Sequence, residues 1–277
     1  MGEDKMKELT LDQIKERQLN MLAWIDELCR REGIGYSVAY GTMIGAIRHG
    51  GYIPWDDDVD LFMTRANLDR FIKAFRSIND SGYHLLNWEN NYFNFTKVID
   101  SSTTVVEDCD YDVRNYGVWI DIFPVDNLPN PNSEEAKTKY AKMNKNLRLS
   151  QIRGMHFRHL KTLSFPKNIV WLILRICLSV FPLGYFGKKV DDAYLDYNDK
   201  YTGFMGYLPQ CSLESNTFPA KYFDEYIDIV FDGKKLRCLK EYDAMLRGYY
   251  GDYMQLPPED KRVSGHSYRA FLKEDRV

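Results

Sequence analysis

Cysteine is scarce in this sequence of 277 residues, with five at positions 29, 109, 177, 211 and 238. No two of them form a C-x-x-C pair, and their number is odd. This distribution argues against a disulfide framework and against a cysteine-rich zinc site. Such cysteine usage is typical of proteins from a reducing cytosol.

The N-terminal segment lacks the apolar stretch that export requires. Its first fifteen residues alternate charged with apolar side chains, so the sequence predicts no secretory signal. Met6 stands where a myristoylation signal requires Ser or Thr, which excludes that modification. We therefore expect a cytoplasmic protein.

Acidic residues are missing from the 55 residues between Glu135 and Asp191. This basic segment, 136–190, carries 12 of the 37 lysines and arginines, so the other 222 residues hold 25 cations against 40 carboxylates. A solvated surface normally mixes both signs. No nucleic-acid motif accompanies the cations, and we expect the segment to meet an anionic membrane surface, placing the protein peripherally at the inner face of the cell membrane.

One apolar run lies inside the basic segment, at residues 169–186, with Arg175 as its single charge. The position of Arg175 near its middle, and of Pro182 and Gly184 near its end, argues against a membrane span. Two interpretations stay open at this point: a helix buried against the domain, and a helix lying in the membrane surface.

Hydrophobic periodicity and turn residues indicate a mixed α/β (α+β) protein. Helices are predicted at 8–31 and 65–79, with a short one starting within 43–49. Strands are predicted at 36–40, 58–63, 92–99 and 117–123, and a hairpin is predicted about Asp232-Gly233. The expected organisation is a core with an N-terminal helix at 1–130, a basic helical insertion at 131–205, and a C-terminal part at 206–277 that completes the core.

The strongest chemical signal is a set of four carboxylates within five positions, Asp56, Asp57, Asp58 and Asp60. Their mutual repulsion requires a cation, for which a divalent metal is the simplest candidate. Asp58 and Asp60 are two residues apart on a predicted strand, so both side chains would leave the same face. Oxygen ligands favour Mg²⁺ or Mn²⁺ over zinc. Asp56 and Asp57 are further candidates.

Gly41 and Thr42 follow a predicted strand and precede the short helix. Exposed N–H groups at such a turn bind phosphate, although Gly41 would equally suit a tight turn. Arg48 and His49 are candidates to add charge-assisted hydrogen bonds to the same anion. Lys97 either contacts a phosphate from a neighbouring strand or lies exposed to solvent.

Asp121 lies between two isoleucines in a predicted apolar strand. A lone carboxylate is costly to bury there without a partner. It would fit as a third metal ligand, or as a general base that takes a proton from an attacking hydroxyl. The alternative is an N-cap or a buried salt bridge.

These motifs closely resemble the LicD family and the related fukutin-type proteins. The resemblance spans roughly 11–270 and is carried by GTMIGAIRHGGYIPWDDDVD, WIDIFPVD, TFPAKYF, YYGDYMQLPP and the pair Arg262 and His266. It implies a nucleotidyltransferase-type mixed sheet flanked by helices. It also implies that Gly41 and Thr42 match the phosphate turn, Asp58 and Asp60 the metal pair, and Asp121 the third carboxylate.

The resemblance further implies transfer of phosphocholine from CDP-choline to a hydroxyl of a lipid-linked glycan precursor, of teichoic-acid or lipopolysaccharide type, with release of CMP. Choline carries a quaternary ammonium that favours an aromatic face. The aromatic residues within or beside the motifs are Tyr40, Tyr52, Trp55, Trp88 and Trp119.

Two other classes of function stay open. A ribitol or glycerol phosphate donor, or nucleotidyl transfer with release of pyrophosphate, would use the same fold for different chemistry. A membrane- or polyanion-binding module with a degenerate site would not be an enzyme. The presence of Asp58, Asp60 and Asp121 together argues against a degenerate site.

Overall fold

A computed structural model describes residues 7–107, 116–155, 164–197, 199–207, 213, 216–263 and 268–273. Its α-helices within these ranges are α1 (Leu11–Arg31), α2 (Tyr40–His49), α3 (Arg65–Arg76), α4 (Glu134–Gly154), α5 (Lys167–Leu178), α6 (Tyr185–Leu195) and α7 (Tyr242–Tyr250). The strands are β1 (Ser37–Val38), β2 (Asp60–Thr64), β3 (Tyr83–Leu86), β4 (Thr96–Asp100), β5 (Thr103–Glu107), β6 (Trp119–Leu128), β7 (Phe204–Gly206), β8 (Thr217–Pro219), β9 (Tyr226–Phe231), β10 (Lys234–Leu239) and β11 (Tyr268–Leu272).

The central sheet is mixed, in the order β1-β2-β6-β4-β3. Strands β2 and β6 run parallel, and the other neighbours in this order are antiparallel. The end of β6 pairs with β7, which in turn pairs with β8. The predicted hairpin is present as β9 and β10, and β5 pairs with β11. The mixed α/β fold predicted from the sequence is confirmed.

Helix α1 forms where a capping signal meets an apolar stripe. The Thr10 hydroxyl accepts a hydrogen bond from the Gln13 N–H, and the Gln13 side chain accepts one from the Thr10 N–H. One face then buries Ile14, Met21, Leu22, Ile25 and Leu28. The helix ends before Gly33, which has a left-handed backbone (φ +64°).

Three predicted boundaries near the carboxylates were wrong. Helix α2 begins at Tyr40 and shortens the preceding strand to two residues, while β2 begins at Asp60 and β4 at Thr96. Asp58 therefore precedes β2 and does not share a strand with Asp60. Pro54 lacks an N–H group for strand pairing, and the Asp56 N–H closes a turn onto the Ile53 carbonyl at 2.9 Å.

The residues before β4 also depart from the predicted strand, because their asparagines hydrogen-bond the local backbone. The Asn90 carboxamide accepts from the Asn87 N–H and donates to the Leu85 carbonyl. Side-chain bonds of this kind compete with strand pairing.

The described residues of the basic segment are mostly helical, but its apolar run is not one helix. Helix α5 ends at Leu178 and α6 begins at Tyr185, with Pro182 between them. A search of the described residues finds no helix with the length and apolarity needed to cross a bilayer. The three-part division of the chain stays a prediction.

Helices α4 and α6 pack together against the end of β6. The apolar contacts bury Leu128 of β6 with Met143 of α4 and Tyr194 of α6. A buried charge network joins the same elements: both Asp126 oxygens of β6 accept from Arg65 of α3 at 2.8 Å, and Asp191 of α6 lies 2.7 Å from another Arg65 nitrogen. The helical segment is thus attached to the central sheet by both apolar and ionic contacts.

Candidate functional site

Three neighbouring strands place charged side chains in one row. Asp60 of β2 pairs in register with Asp121 of β6, and Lys97 of β4 pairs with Asp121 from the other side. Paired positions on adjacent strands project to the same face of a sheet. The row therefore presents two carboxylates and one ammonium to the same space.

That space is a cavity of about 340 Å³. Asp58, Asp60, Lys97 and Asp121 contribute its charges. Helix α4 lines the cavity through Leu147, Ser150 and Gln151. The other lining residues are mostly aromatic: Tyr92, Phe93, Asn94, Phe95, Tyr116, Trp119 and Phe123. Asp58, Asp60 and Asp121 therefore line one cavity, and their role as metal ligands stays a prediction.

Lys97 and Asp121 form a buried ion pair. The ammonium nitrogen of Lys97 donates to the two carboxylate oxygens of Asp121 at 2.6 and 2.9 Å. The side chains are only 6% and 11% exposed. The interpretation of Lys97 as an exposed strand lysine was therefore wrong, and the salt-bridge alternative for Asp121 describes the contact present here.

The carboxylates before β2 lie close together. Oxygens of Asp56, Asp57 and Asp58 fall within 4.8 Å of one another. Burial, followed by the nearby charges of Asp58 and Asp121, raises the pKa of Asp60 well above its ordinary value. Such crowding favours an additional cation, and an all-oxygen donor set fits Mg²⁺ or Mn²⁺. Asp58 belongs both to this cluster and to the cavity.

The first turn of α2, which contains Gly41 and Thr42, contacts the carboxylate segment. A side chain at Gly41 would put its Cβ 2.7 Å from an Asp56 carboxylate oxygen, so any larger residue there would displace the Asp56 side chain. The Thr42 hydroxyl oxygen accepts the Asp60 N–H at 2.9 Å and fixes the start of β2. Their predicted role in binding phosphate stays a prediction.

Arg48 and His49 are not among the residues that line the cavity. The Arg48 guanidinium instead donates to the Tyr253 carbonyl at 2.6 Å and to the His49 Nε2 at 2.9 Å. Burial, and then the charge of Arg48, lowers the pKa of His49. Sequence reasoning could not find this arrangement, because the carbonyl that binds Arg48 is some two hundred residues away along the chain.

Arg262 is held beside the same C-terminal loop. Its Nε donates to the Pro257 carbonyl at 2.9 Å, and its guanidinium carbon lies 5.8 Å from the centre of the Trp55 ring. Trp55 in turn meets the His49 ring edge-on at 6.4 Å. His266 lies outside the described residues.

Of the five aromatic candidates for choline, Trp119 lines the cavity. Tyr40 packs against Phe123, a cavity residue, with 5.3 Å between ring centres. Tyr52 packs on Phe231 at 4.9 Å, Trp55 lies beside Arg262, and Trp88 borders another cavity.

Five aromatic residues of the cavity were not among the sequence candidates, and three of them, Phe93, Phe95 and Tyr116, lie around Lys97. Together with Trp119 they surround the Lys97 ammonium, with ring centres 4.9 to 5.7 Å from its nitrogen. A signal was available, because an aromatic run immediately precedes Lys97 in the sequence.

Gln18 of α1 is a second residue that the sequence analysis missed. It is fully buried, and its amide donates to the Asp57 carbonyl at 3.0 Å and accepts from the Tyr52 hydroxyl at 3.0 Å. The Tyr268 hydroxyl donates to the same Asp57 carbonyl. A glutamine within the apolar stripe of α1 was the available signal, and it anchors the segment that carries Asp58.

Comparison with known proteins bears on this site. Residues 33–171 match the family model described as LicD/FKTN/FKRP, nucleotidyltransferase domain. The lipopolysaccharide cholinephosphotransferase LicD of Haemophilus influenzae is 31% identical over 275 residues, covering 96% of this chain and 100% of that protein. An uncharacterised protein of Rickettsia typhi is 34% identical over 59 residues, 21% of this chain and 19% of its own. The family match includes Asp58, Lys97 and Asp121.

Proposed function

The chain belongs to the LicD family, and from this premise we propose that it transfers phosphocholine from CDP-choline to a hydroxyl of a lipid-linked cell-surface glycan precursor, releasing CMP. Similarity over nearly the full length to a named cholinephosphotransferase makes it a phosphotransferase enzyme and supports a glycan acceptor. The structural observation that carries the proposal is the convergence of Asp58, Asp60, Asp121 and Lys97 in one cavity.

The proposed ligands of a divalent cation are Asp58, Asp60 and Asp121, which line one cavity. Asp56 and Asp57 are close by, because their carboxylate oxygens and that of Asp58 lie within 4.8 Å of one another. A bound Mg²⁺ or Mn²⁺ would neutralise phosphate charge and help to orient the reacting oxygens. The raised pKa of Asp60 agrees with this assignment, because burial and then the neighbouring carboxylates disfavour its charge where no cation offsets them.

The remaining roles fall to the side chains themselves. Asp121 accepts the proton of the acceptor hydroxyl as that oxygen bonds to the choline-bearing phosphorus. The bond from this phosphorus to the bridging oxygen breaks, and CMP leaves with that oxygen. Lys97 holds the Asp121 carboxylate in position. Its ammonium has three N–H donors, so it is also suited to contact a donor phosphate.

The aromatic wall suits the choline head group. A trimethylammonium has no N–H to donate, so it is recognised by ring faces and not by hydrogen bonds. Phe93, Phe95, Tyr116 and Trp119 already surround one cation, the Lys97 ammonium. We assign these rings to choline, with Lys97 drawn towards the donor phosphate when the donor is bound.

Product analysis tests this function. The purified protein is incubated with Mg²⁺ and, separately, CDP-choline, CDP-ribitol and CDP-glycerol, with and without a lipopolysaccharide acceptor. We expect CMP release that is fastest with CDP-choline and is stimulated by the acceptor. A preference for CDP-ribitol or CDP-glycerol would replace the head group in the proposal. Release of pyrophosphate from CTP and a phospho-alcohol would replace it with nucleotidyl transfer.

A further inference from the structure

Helix α5 exposes an unusual number of large apolar side chains. Six apolar residues of this helix have exposed fractions of 38% to 55%: Ile169, Val170, Leu172, Ile173, Leu174 and Ile176. On either side of the helix Phe165 is 76% exposed and Val180 78%. Isolated apolar residues on a surface are common, but a contiguous patch of this kind marks a contact with another body.

A narrow stripe attaches α5 to the rest of the protein. Leu178 is buried with Ile152 and Phe186, and Trp171 packs against the same cluster. The Arg175 Nε donates to the Met155 carbonyl at 3.0 Å. At about 100° per residue, positions 171, 175 and 178 fall within an arc of roughly 60°, so the exposed apolar residues occupy a wide arc facing away.

The length of α5 limits how the arc can be covered. Its twelve residues span about 18 Å, well short of the roughly 30 Å of a bilayer core. A helix with one wide apolar arc and this length is suited to lie in the plane of a membrane surface, with the arc towards the acyl chains.

The neighbouring charges favour an anionic surface as the occupant. The segment 136–190 has no acidic residue, and exposed cations lie on α4 and α6 at Lys142, Lys145, Arg148, Lys188 and Lys189. Cations near an anionic leaflet are attracted to its lipid phosphates. A second copy of the chain would instead bring a like-charged segment against this one, which is unfavourable.

Helix α4 connects this surface to the cavity. It packs against α5, and its residues Leu147, Ser150 and Gln151 line the cavity that holds Asp121. A helix is about 10 Å across. Docking through α5 would therefore hold the cavity close to the membrane, where a lipid-linked acceptor resides.

We propose that α5 docks the protein onto an anionic bilayer, with its apolar arc in the interface and the cations of α4 and α6 towards lipid phosphates. This inference concerns where the protein binds and does not depend on which donor it uses.

Vesicle flotation with the full chain tests the proposal. Vesicles of phosphatidylcholine with 30% phosphatidylglycerol are compared with pure phosphatidylcholine. We expect binding to the anionic vesicles that falls at least tenfold in the variant Val170→Ser/Ile173→Ser/Ile176→Ser. A matched control removes exposed apolar groups elsewhere, Val230→Ser/Leu256→Ser/Val263→Ser, and should bind as the wild type does.

A second variant tests the electrostatic part. Lys142→Gln/Lys145→Gln/Arg148→Gln should weaken binding to anionic vesicles several-fold, as should 0.5 M salt, because both reduce attraction to lipid phosphates. The control Lys221→Gln/Lys234→Gln/Lys235→Gln should not. Thermal unfolding checks each variant, and Ile173→Ser alone replaces the triple serine variant if that one unfolds.

Three outcomes would overturn the proposal. The first is failure of the wild type to bind either vesicle, and the second is undiminished binding by the serine variants. The third is a dimer in light scattering that these variants dissociate, since a second copy would then cover α5. CMP release from a soluble donor by the serine variants should match the wild type, so loss of vesicle binding is distinguishable from failure of the proposed chemistry.

Discussion

The ammonium of Lys97 lies 2.6 and 2.9 Å from the two carboxylate oxygens of Asp121, and both side chains are almost fully buried. The pair joins two adjacent strands of the central sheet. Because Asp60 lies beside Asp121 in the next strand, the charge of Lys97 also offsets the repulsion between the two carboxylates. Stability and the proposed catalysis therefore share the same residues.

Removal of the Lys97 ammonium should be costly. Lys97→Met leaves the Asp121 carboxylate buried without this partner, and breaking a buried pair in this way costs about 3–5 kcal/mol. We expect that loss in urea unfolding of the metal-free protein at pH 7. Lys188→Met, which breaks an exposed pair with Asp192, should cost less than about 1 kcal/mol. Adding Asp121→Asn to Lys97→Met should recover part of the loss, and equal costs for the two lysine variants would contradict this account.

Asp58 should be required for turnover and for metal binding, but not for folding. Asp58→Asn removes one carboxylate from both the acidic cluster and the cavity, so CMP release should fall by at least about a hundredfold. The shift in unfolding temperature caused by Mg²⁺ should shrink as well. The exposed Glu27→Gln serves as the control. Wild-type CMP release by Asp58→Asn would show that the assignment is wrong.

Stability should depend on pH through Asp60. Its pKa is raised in the folded protein by burial and then by Asp58 and Asp121, so the unfolded chain releases this proton first. Well below the ordinary aspartate pKa of 3.8 both states are protonated and Asp60 contributes nothing. As the pH rises from there towards the folded pKa, the folded state loses stability.

The variant Asp60→Asn removes this dependence. In EDTA it should exceed the wild type in free energy of unfolding at pH 7, with little difference near pH 3. Asp224→Asn, at an exposed position, should show no such change with pH. A constant difference between the Asp60 variant and the wild type across this range would rule out ionisation as the cause.

Phe95 should set the preference for choline. Phe95→Leu keeps an apolar side chain but removes one ring face from the wall around the Lys97 ammonium. The KM for CDP-choline should rise about threefold to tenfold, because a desolvated cation–π contact contributes roughly 1 kcal/mol. CDP-glycerol, which has no cation, should show an unchanged KM. Equal changes for both donors would assign Phe95 a packing role only.

Gln18 should matter for both stability and turnover although its side chain carries no charge. Gln18→Leu would leave the Asp57 carbonyl and the Tyr52 hydroxyl without this partner, which costs about 1–3 kcal/mol in unfolding free energy. Because the segment with Asp58 would be less well held, kcat should fall more than KM changes. Gln13→Leu, at a partly exposed position of the same helix, should affect stability through the cap while leaving kcat unchanged.

The local parts of the site could be predicted from the sequence. A cation site is predicted by four aspartates within five positions, and a partner for Asp121 is predicted by its apolar neighbours. Each of these signals lies within a few residues of the sequence. The mixed fold follows from periodicity, which is equally local. The prediction that Asp58 shares a strand with Asp60 was wrong. The alternation of side chains does not show that Pro54 and the turn at Asp56 prevent β2 from starting before Asp60.

The long-range contacts could not be predicted. Lys97 meets Asp121 through strand pairing across 24 positions, and nothing in the sequence around Lys97 specifies that partner. Arg48 was expected at the donor phosphate, but the Tyr253 carbonyl binds it from a loop near the other end of the chain. The partners of Lys97 and Arg48 depend on the tertiary structure, because a charge removed from water must pair with whichever polar group is brought near it.

The Arg65 guanidinium, which joins Asp126 of the sheet to Asp191 of the helical segment, constrains how this protein can be re-engineered. A chimera that exchanges residues 131–205 for those of a relative would replace Asp191 but retain Arg65 and Asp126. Unless the graft restores a carboxylate at that place, the guanidinium loses one of its two counter-charges. Exchange of all three positions together, or a graft that supplies its own carboxylate, keeps both counter-charges of this guanidinium.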